Sequence, residues 1–553
     1  MTNRAEAGSD QIPEYSSIAS SFRLEDVTDL LAGDLESGLN VCHECCDRHA
    51  DLDRIAVYWE GADGSQSTHS FTELRDRAAR FANFLTAQGI QPGDRVACML
   101  PRITELFVVA LGVWRAGAVY VPIFTAFGPK AIEYRLQSSA ARLVVTDAVN
   151  RTKLDDVADA PPVMVVTRQP DETVREGDIS FDEALADQPA EFEPVMLTAE
   201  DPFILMFTSG TVGNAKGVAV PLKALPAFIG YMKYGINLRD TDRFWNMADP
   251  GWAYGLFYAV VGPLLLGSAS HFYEGSFSAE STYHMFEKYG ITLLVSAPTA
   301  YRLLKVAGDE LADACQSGLR AACSGGEPLN PEVIRWVADH LGCPVRDHYG
   351  QTEIGMVVCN HHGLSHSVNP GSMGLPMPGF RMVVLNEEFM EVDPGGSGML
   401  AVDTTQSPLY YFQGYRGHTE SPFQGPYYLT GDMAELGQDG ILTFKGRADD
   451  IILSAGYRIG PFDVESCLIE HPAVAESAVV SKPDSERGEI VVAFVVLRSG
   501  HNGSPELVEE LQQHTRTRLS AHSFPREVIF VDSLPKTPSG KIQRFILRRQ
   551  WVV

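Results

Sequence analysis

The sequence predicts an α/β fold in at least two domains. Its 553 residues are too many for one compact core. Residues 55–200 alternate strand-like and helix-like segments, the pattern of a parallel sheet covered by helices. A polar stretch, Lys445 to Asp450, is then followed by a new, smaller α/β pattern, which puts the domain boundary at Asp449.

Residues 1 to about 50 are polar and then helical. Cys42, Cys45 and Cys46 stand beside His43 and His49, but no second cysteine pair at zinc spacing follows. A helix with cysteines on its packed face is the expectation. Ile55–Trp59 is apolar, and Phe71–Leu85 carries apolar residues at helical spacing. Asp94–Leu100, Val119–Ile123 and Leu143–Thr146 read as strands, and Glu105–Ala116 as a helix. Residues 200–440 continue with short glycine and proline loops after strands. Ligands of such sheets sit at strand C-terminal ends, so the loops after Phe207, after Cys323 and near Tyr349 are candidates for one shared site. In the last hundred residues Ile490–Leu497 reads as a strand, Pro505–Arg518 as a helix and Glu527–Val531 as a strand.

Hydrophobic content of 45% and charged content of 21% are those of a soluble globular enzyme. The formal net charge is -27, which repels nucleic acid and anionic membranes. An anionic ligand must therefore be met by local basic groups and backbone dipoles. The N-terminus has no apolar core and is not a secretory signal. The uncharged run Trp252–Ser270 is broken by Gly255, Gly262, Pro263 and Gly267, which favours a buried strand–helix segment over a membrane span. Nine scattered cysteines point to a reducing, cytoplasmic compartment.

The most informative stretch runs from Thr208 to Gly217, after the apolar run Phe203–Phe207. It holds Gly210, Gly213 and Gly217, the hydroxyls of Thr208, Ser209 and Thr211, and Lys216. Glycines let backbone N–H groups face a ligand, hydroxyls donate, and lysine adds a point charge, a set that suits a polyphosphate. It is not a Walker A loop, because Ala215 precedes the lysine and Gly217 follows it. Alone, it reads equally well as a strand-to-strand connection. Four stretches join it: Ser324–Leu329, Asp347–Glu353, Tyr428–Asp432 and Pro535–Lys541. Singly, Glu353 could be a solvated acid, Asp432 a turn cap and Lys541 an exposed lysine.

Together, in this order, the five motifs resemble the adenylate-forming superfamily of acyl-CoA synthetases, peptide-synthetase adenylation domains and luciferases. The resemblance implies a large N-terminal domain of layered sheets and helices, 1–448, and a small mobile α+β C-terminal domain, 449–553. It implies that Thr208, Ser209, Gly210, Thr211, Gly213 and Lys216 hold the β- and γ-phosphates of ATP. Gly325, Gly326, Glu327 and Pro328 line the adenine site, Tyr349 stacks on the base, and Asp347 and Gln351 belong to the same nucleotide site. Thr352 touches the α-phosphate and Glu353 helps hold Mg²⁺. Asp432 binds the ribose hydroxyls with help from Arg447, Asp449 is the hinge, and Lys541 reaches the carboxylate and α-phosphate. Thr208, Glu353 and Lys541 are the catalytic candidates. After rotation of the small domain, Gly456 and Tyr457 approach the pantetheine arm of CoA, with Arg458 beside them meeting either nucleotide or CoA.

The resemblance thus implies an AMP-forming acid–thiol ligase that joins a carboxylic acid to CoA through an acyl-adenylate. Two positions depart from the family pattern: Val212 stands where threonine is usual, and Ala215 where proline is common. Trp252 and Gly350 are expected in the acyl pocket. Acetate-specific relatives carry a tryptophan at the latter position, so Gly350 is expected to leave room for a medium-chain, branched or aromatic acid, and Gly350→Trp to shift preference toward shorter ones. No carrier domain follows Lys541, which favours free CoA as acceptor. The alternatives are an enzyme that loads a separate carrier protein and a nucleotide-binding sensor without catalysis.

Overall fold

A computed structural model describes residues 12–50, 54–169, 171–208, 215–417, 421–455, 457–520, 522–537 and 541–551. Among these residues the strands form four sheets. The expected alternation is present. An eight-stranded sheet runs from Tyr415–Arg416 through Gly217–Pro221, Pro202–Phe207, Val119–Pro122, Arg95–Met99, Leu143–Asp147 and Val163–Val166 to Ile179–Ser180. Its strands from 95 to 207 pair in parallel, and Pro202–Phe207 turns back antiparallel into Gly217–Pro221.

A nine-stranded sheet lies in the same domain. It carries Leu293–Ser296, Ala321–Gly325 and Val345–Gln351 side by side in parallel, with Gly355–Cys359 antiparallel at one end. Helices Phe71–Ala87 and Thr104–Arg115 pack against each other within the main core. The first starts at a capping box, in which Ser70 accepts from the Glu73 N–H and the Glu73 carboxylate accepts from the Ser70 N–H. Its buried residues, Phe71, Leu74, Ala78, Ala79, Phe81, Ala82, Phe84 and Leu85, form one broad apolar face at helical spacing.

A third sheet, of antiparallel strands, spans 382–447 and ends in the hairpin Tyr427–Leu436 with Leu442–Arg447. The small C-terminal domain has its own sheet, in which Val474–Asp484 and Gly488–Leu497 form a long antiparallel pair and Glu527–Phe530 adds in parallel. Helices Pro461–Ile469 and Pro505–Arg518 cover it.

Cys42, Cys45 and Cys46 are buried in and beside the helical turn His43–Asp47, as expected for a packed face. Trp252–Ser270 folds as short helical turns leading to strand Ser270–Tyr273, and no helix among the described residues is long and apolar enough to cross a membrane.

Candidate active site

A cleft of about 560 Å³ opens between the C-terminal ends of the nine-stranded sheet, the hairpin 427–447 and the C-terminal domain. Five separated segments converge on it. Thr208 and Lys216 come from the two limbs around the glycine-rich stretch, and Gly326, Glu327 and Pro328 from the loop after Ala321–Gly325. Asp347 through Glu353 come from one strand and its turn, Asp432 and Arg447 from the hairpin, and Lys541 from the C-terminal domain.

The strand Val345–Gln351 aims its side chains through an irregularity. Tyr349 pairs with Val358, but Gly350 pairs with Met356, so the register shifts between them. Such a bulge redirects neighbouring side chains. The shift crowds the backbone at Gly350. A Cβ there would stand 2.2 Å from the Gly355 carbonyl oxygen and 2.7 Å from Met356 Sδ. The room expected above Gly350 is therefore filled, and the glycine is required by close approach of two backbones. Gly350→Trp should accordingly lower the melting temperature rather than retune acid length. Even Gly350→Ala should cost about 1–3 kcal/mol in denaturant unfolding. Wild-type stability in that variant would show that the turn moves aside.

Asp432 is held by three side chains. Its Oδ2 accepts from the Tyr349 hydroxyl at 2.5 Å and from Gln351 Nε2 at 2.8 Å, while Arg447 stands 3.4 Å from Oδ1. Gln351 is oriented in turn by donating to the Thr430 carbonyl at 2.8 Å and accepting from the Tyr428 hydroxyl at 2.9 Å. Burial raises the Asp432 carboxyl above the usual carboxylate range, and Arg447 opposes that rise. Burial also raises the Tyr349 phenol, and the Asp432 charge adds to it.

Glu353 is buried at the opposite end of the motif and accepts from the Tyr415 hydroxyl at 2.8 Å. Burial raises its carboxyl, and the Tyr415 bond opposes this. Lys216 Nζ lies 4.8 Å from the centre of the Tyr415 ring. The limbs that carry Thr208 and Lys216 are tied together: the Thr208 N–H donates to the Lys216 carbonyl at 3.0 Å, and the Lys216 N–H to Thr208 Oγ1 at 3.4 Å.

On the other flank, Glu327 is held by Thr299 Oγ1 at 2.7 Å and Arg302 at 2.8 Å. Asp347 Oδ2 accepts the Leu329 N–H at 3.0 Å, while its Oδ1 is buried with no partner among the described residues. Burial pushes this carboxyl up to about 7, partly opposed by the Leu329 N–H. A buried acceptor without a donor in a ligand-sized cleft fits a hydrogen-bonding ligand.

The C-terminal domain closes the cleft. Its turn is held by the Thr537 N–H donating to the Lys541 carbonyl at 2.7 Å and the Lys541 N–H donating to Thr537 Oγ1 at 3.0 Å. At the expected hinge, Arg548 donates to the Asp449 carbonyl at 2.8 Å and pairs with Asp450 at 2.6 Å. Arg447 stands 3.6 Å from the Asp449 carboxylate. Across the cleft, Asn330 donates to Ser466 at 2.9 Å.

Some expected residues stand elsewhere. Trp252 does not line the cleft. It packs on Phe124 and Phe127, with ring centres 5.6 Å away in both cases. Tyr457 is exposed outside the cleft and stacks on His522 at 3.9 Å. Ser209, Gly210, Thr211, Val212, Gly213 and Gly456 lie outside the described residues, as does the side chain of Arg458. Conversely, Arg302, Tyr415 and Tyr428 were not expected. Arg302 had a legible signal: it lies one turn into a helix that Pro298 starts directly after a buried strand, where α/β folds place ligand-facing groups. Tyr428 opens the Tyr428–Asp432 motif and Tyr415 follows Gly414, but an aromatic ring beside a glycine does not by itself mark a ligand-facing group.

The family model for the AMP-binding enzyme matches residues 43–415, and that for the AMP-binding enzyme C-terminal domain matches 463–541. The chain belongs to the AMP-binding enzyme family. Among relatives in this family, the acetyl-coenzyme A synthetase of Bacillus subtilis is 37% identical over 520 residues, covering 92% of this chain and 90% of that one. A crystal structure of an acyl-CoA synthetase from Brucella canis shares 52% identity at a TM-score of 0.80, covering 98% of this chain and 99% of that one. An anthranilate CoA ligase, AuaEII, in complex with anthranoyl-AMP shares 26% identity at a TM-score of 0.85, covering 96% and 99%. The AMP-binding family thus spans both domains seen here.

Proposed function

We propose that this AMP-forming acid–CoA ligase activates a medium-length, branched or aromatic carboxylic acid with ATP and passes the acyl group to free CoA. One observation carries the reading. Lys541 of the C-terminal domain shares a single cleft with Thr208, Lys216, Tyr349, Glu353 and Asp432 of the N-terminal domain. The relatives supply the reaction class, and one of them is a ligase in complex with an aromatic acyl-AMP.

In the first step a carboxylate oxygen attacks the α-phosphorus of ATP, the bond to the bridging oxygen breaks, and diphosphate leaves. Negative charge gathers on the phosphoryl oxygens. Lys541, Lys216 and Arg447 would offset it in a water-poor cleft, where preorganised cations act most strongly. Asp432 would hold the ribose, and Asp347 and Tyr349 the base. In the second step the thiol of CoA attacks the acyl carbon, the carbon–oxygen bond to AMP breaks, and the thioester forms. Lys541 stands in the way of that thiol, so the C-terminal domain, 449–553, would turn about Asp449 and bring the segment near Gly456 and Tyr457 to the cleft.

Mg²⁺ belongs to the same reading. Among the described residues no group of three ligating side chains is placed to hold a metal. Magnesium usually keeps several waters and binds one or two carboxylates plus substrate phosphates, so the single buried Glu353 beside the cleft fits it. When bound, the ion would neutralise phosphate charge. A cytoplasmic setting is supported by nine cysteines that are all free thiols.

The choice of acid rests on the relative that holds an aromatic acyl-AMP. A panel of carboxylic acids of graded length and branching, scored by AMP release with and without CoA, tests this. CoA-dependent AMP release peaking above acetate is expected. Release that peaks at acetate overturns the acid class, release without CoA consumption overturns the acceptor, and no release with any acid overturns the reaction.

A further inference from the structure

We propose that Tyr134 is a positioning residue for Lys216, and that it does so by holding the limb on which the lysine stands. The inference rests on the reading of the cleft as an ATP site.

Tyr134 sits in helix Pro129–Ser139, which covers the eight-stranded sheet. Its hydroxyl donates to the Ala215 carbonyl at 2.8 Å, directly before Lys216. A continuous path follows. The Lys216 carbonyl takes the Thr208 N–H, Lys216 Nζ stands over the Tyr415 ring, and the Tyr415 hydroxyl donates to Glu353. The helix is thereby joined to the far wall of the cleft through the lysine.

The same helix turn grips the incoming limb as well. The Tyr134 ring meets Phe207 edge-on at 6.1 Å, and the buried Arg135 guanidinium lies 4.0 Å from the centre of Phe127 and 6.0 Å from that of Phe207. The outgoing limb packs Ala215 on the same apolar cluster, and it also borders open space. A hollow of about 360 Å³, bordered by Tyr134, Phe207, Gly217 and Arg416, lies beside it. Residue 215 is alanine, which leaves its φ free, whereas proline would fix it. The hydroxyl supplies from outside the restraint that the residue does not supply itself.

Tyr134→Phe keeps the ring and removes only that donor. Equilibrium ATP binding, measured by calorimetry on the full chain, tests the role in four proteins: wild type, Tyr134→Phe, Lys216→Met and the double variant. Loss of one hydrogen bond of ordinary strength should weaken ATP binding by roughly three- to ten-fold. KM for acid and for CoA should not move. In the Lys216→Met background the same change should weaken ATP no further, because Tyr134 acts through the lysine. Equal ATP affinity in wild type and Tyr134→Phe, or the same loss in both backgrounds, overturns the proposal. Absence of ATP binding by wild type overturns the functional reading itself, and the inference with it.

Discussion

Lys541→Ala is expected to slow acyl-adenylate formation by roughly 10²–10³-fold, the usual cost of removing one preorganised donor from a developing anion. Thioester formation from supplied acyl-adenylate should continue. The lysine is presented on a short turn closed by two hydrogen bonds to Thr537, so its place does not depend on its own side chain. The alanine variant should therefore keep the turn and lose only the cation. Lys541 lines the same cleft as Asp432. Diphosphate exchange measures the first half-reaction, and CoA consumption with preformed acyl-adenylate measures the second. Equal loss of both would remove the lysine from its assigned step.

Asp449→Pro is expected to divide the two half-reactions the other way. Proline fixes φ at its own position and restricts the residue before it, here Ala448. The domains are already closed with Lys541 in the cleft, so diphosphate exchange should persist near the wild-type rate. Under the proposed mechanism transfer to CoA needs the small domain to turn, and it should then lose most of its rate. Asp449 is gripped on both sides, by Arg548 at its carbonyl and Arg447 at its carboxylate. Part of any loss could come from disturbing these contacts. Asp449→Asn keeps the rotation free and reports that part separately. Unchanged overall turnover in Asp449→Pro would place the pivot elsewhere.

Much of the architecture was legible because burial writes itself into spacing. Phe71–Ala87, Pro505–Arg518 and the strands from 95 to 207 follow from apolar periodicity and from where glycine and proline interrupt it. The third sheet was less legible, because a strand such as Phe423–Gln424 is two residues long and carries no period. The site was legible where chemistry needs rare clusters, as in Asp347–Glu353. It was misread at Gly350, since a glycine kept for open space and one kept for a crowded backbone look alike in a sequence. Trp252 was misread for a related reason: an indole marks an apolar neighbourhood, and the ring packs on Phe124 and Phe127 outside the cleft.

The arrangement around Asp432 bears on which sugars can enter. One carboxylate oxygen accepts from Tyr349 and Gln351, and among the described residues the other faces a guanidinium at 3.4 Å. Under the proposed role, that second oxygen is the one offered to the sugar, and a furanose stripped of its hydroxyls would leave it under-coordinated in a dry wall. Selection for ribonucleotides over deoxyribonucleotides would then be built into the protein before any substrate arrives.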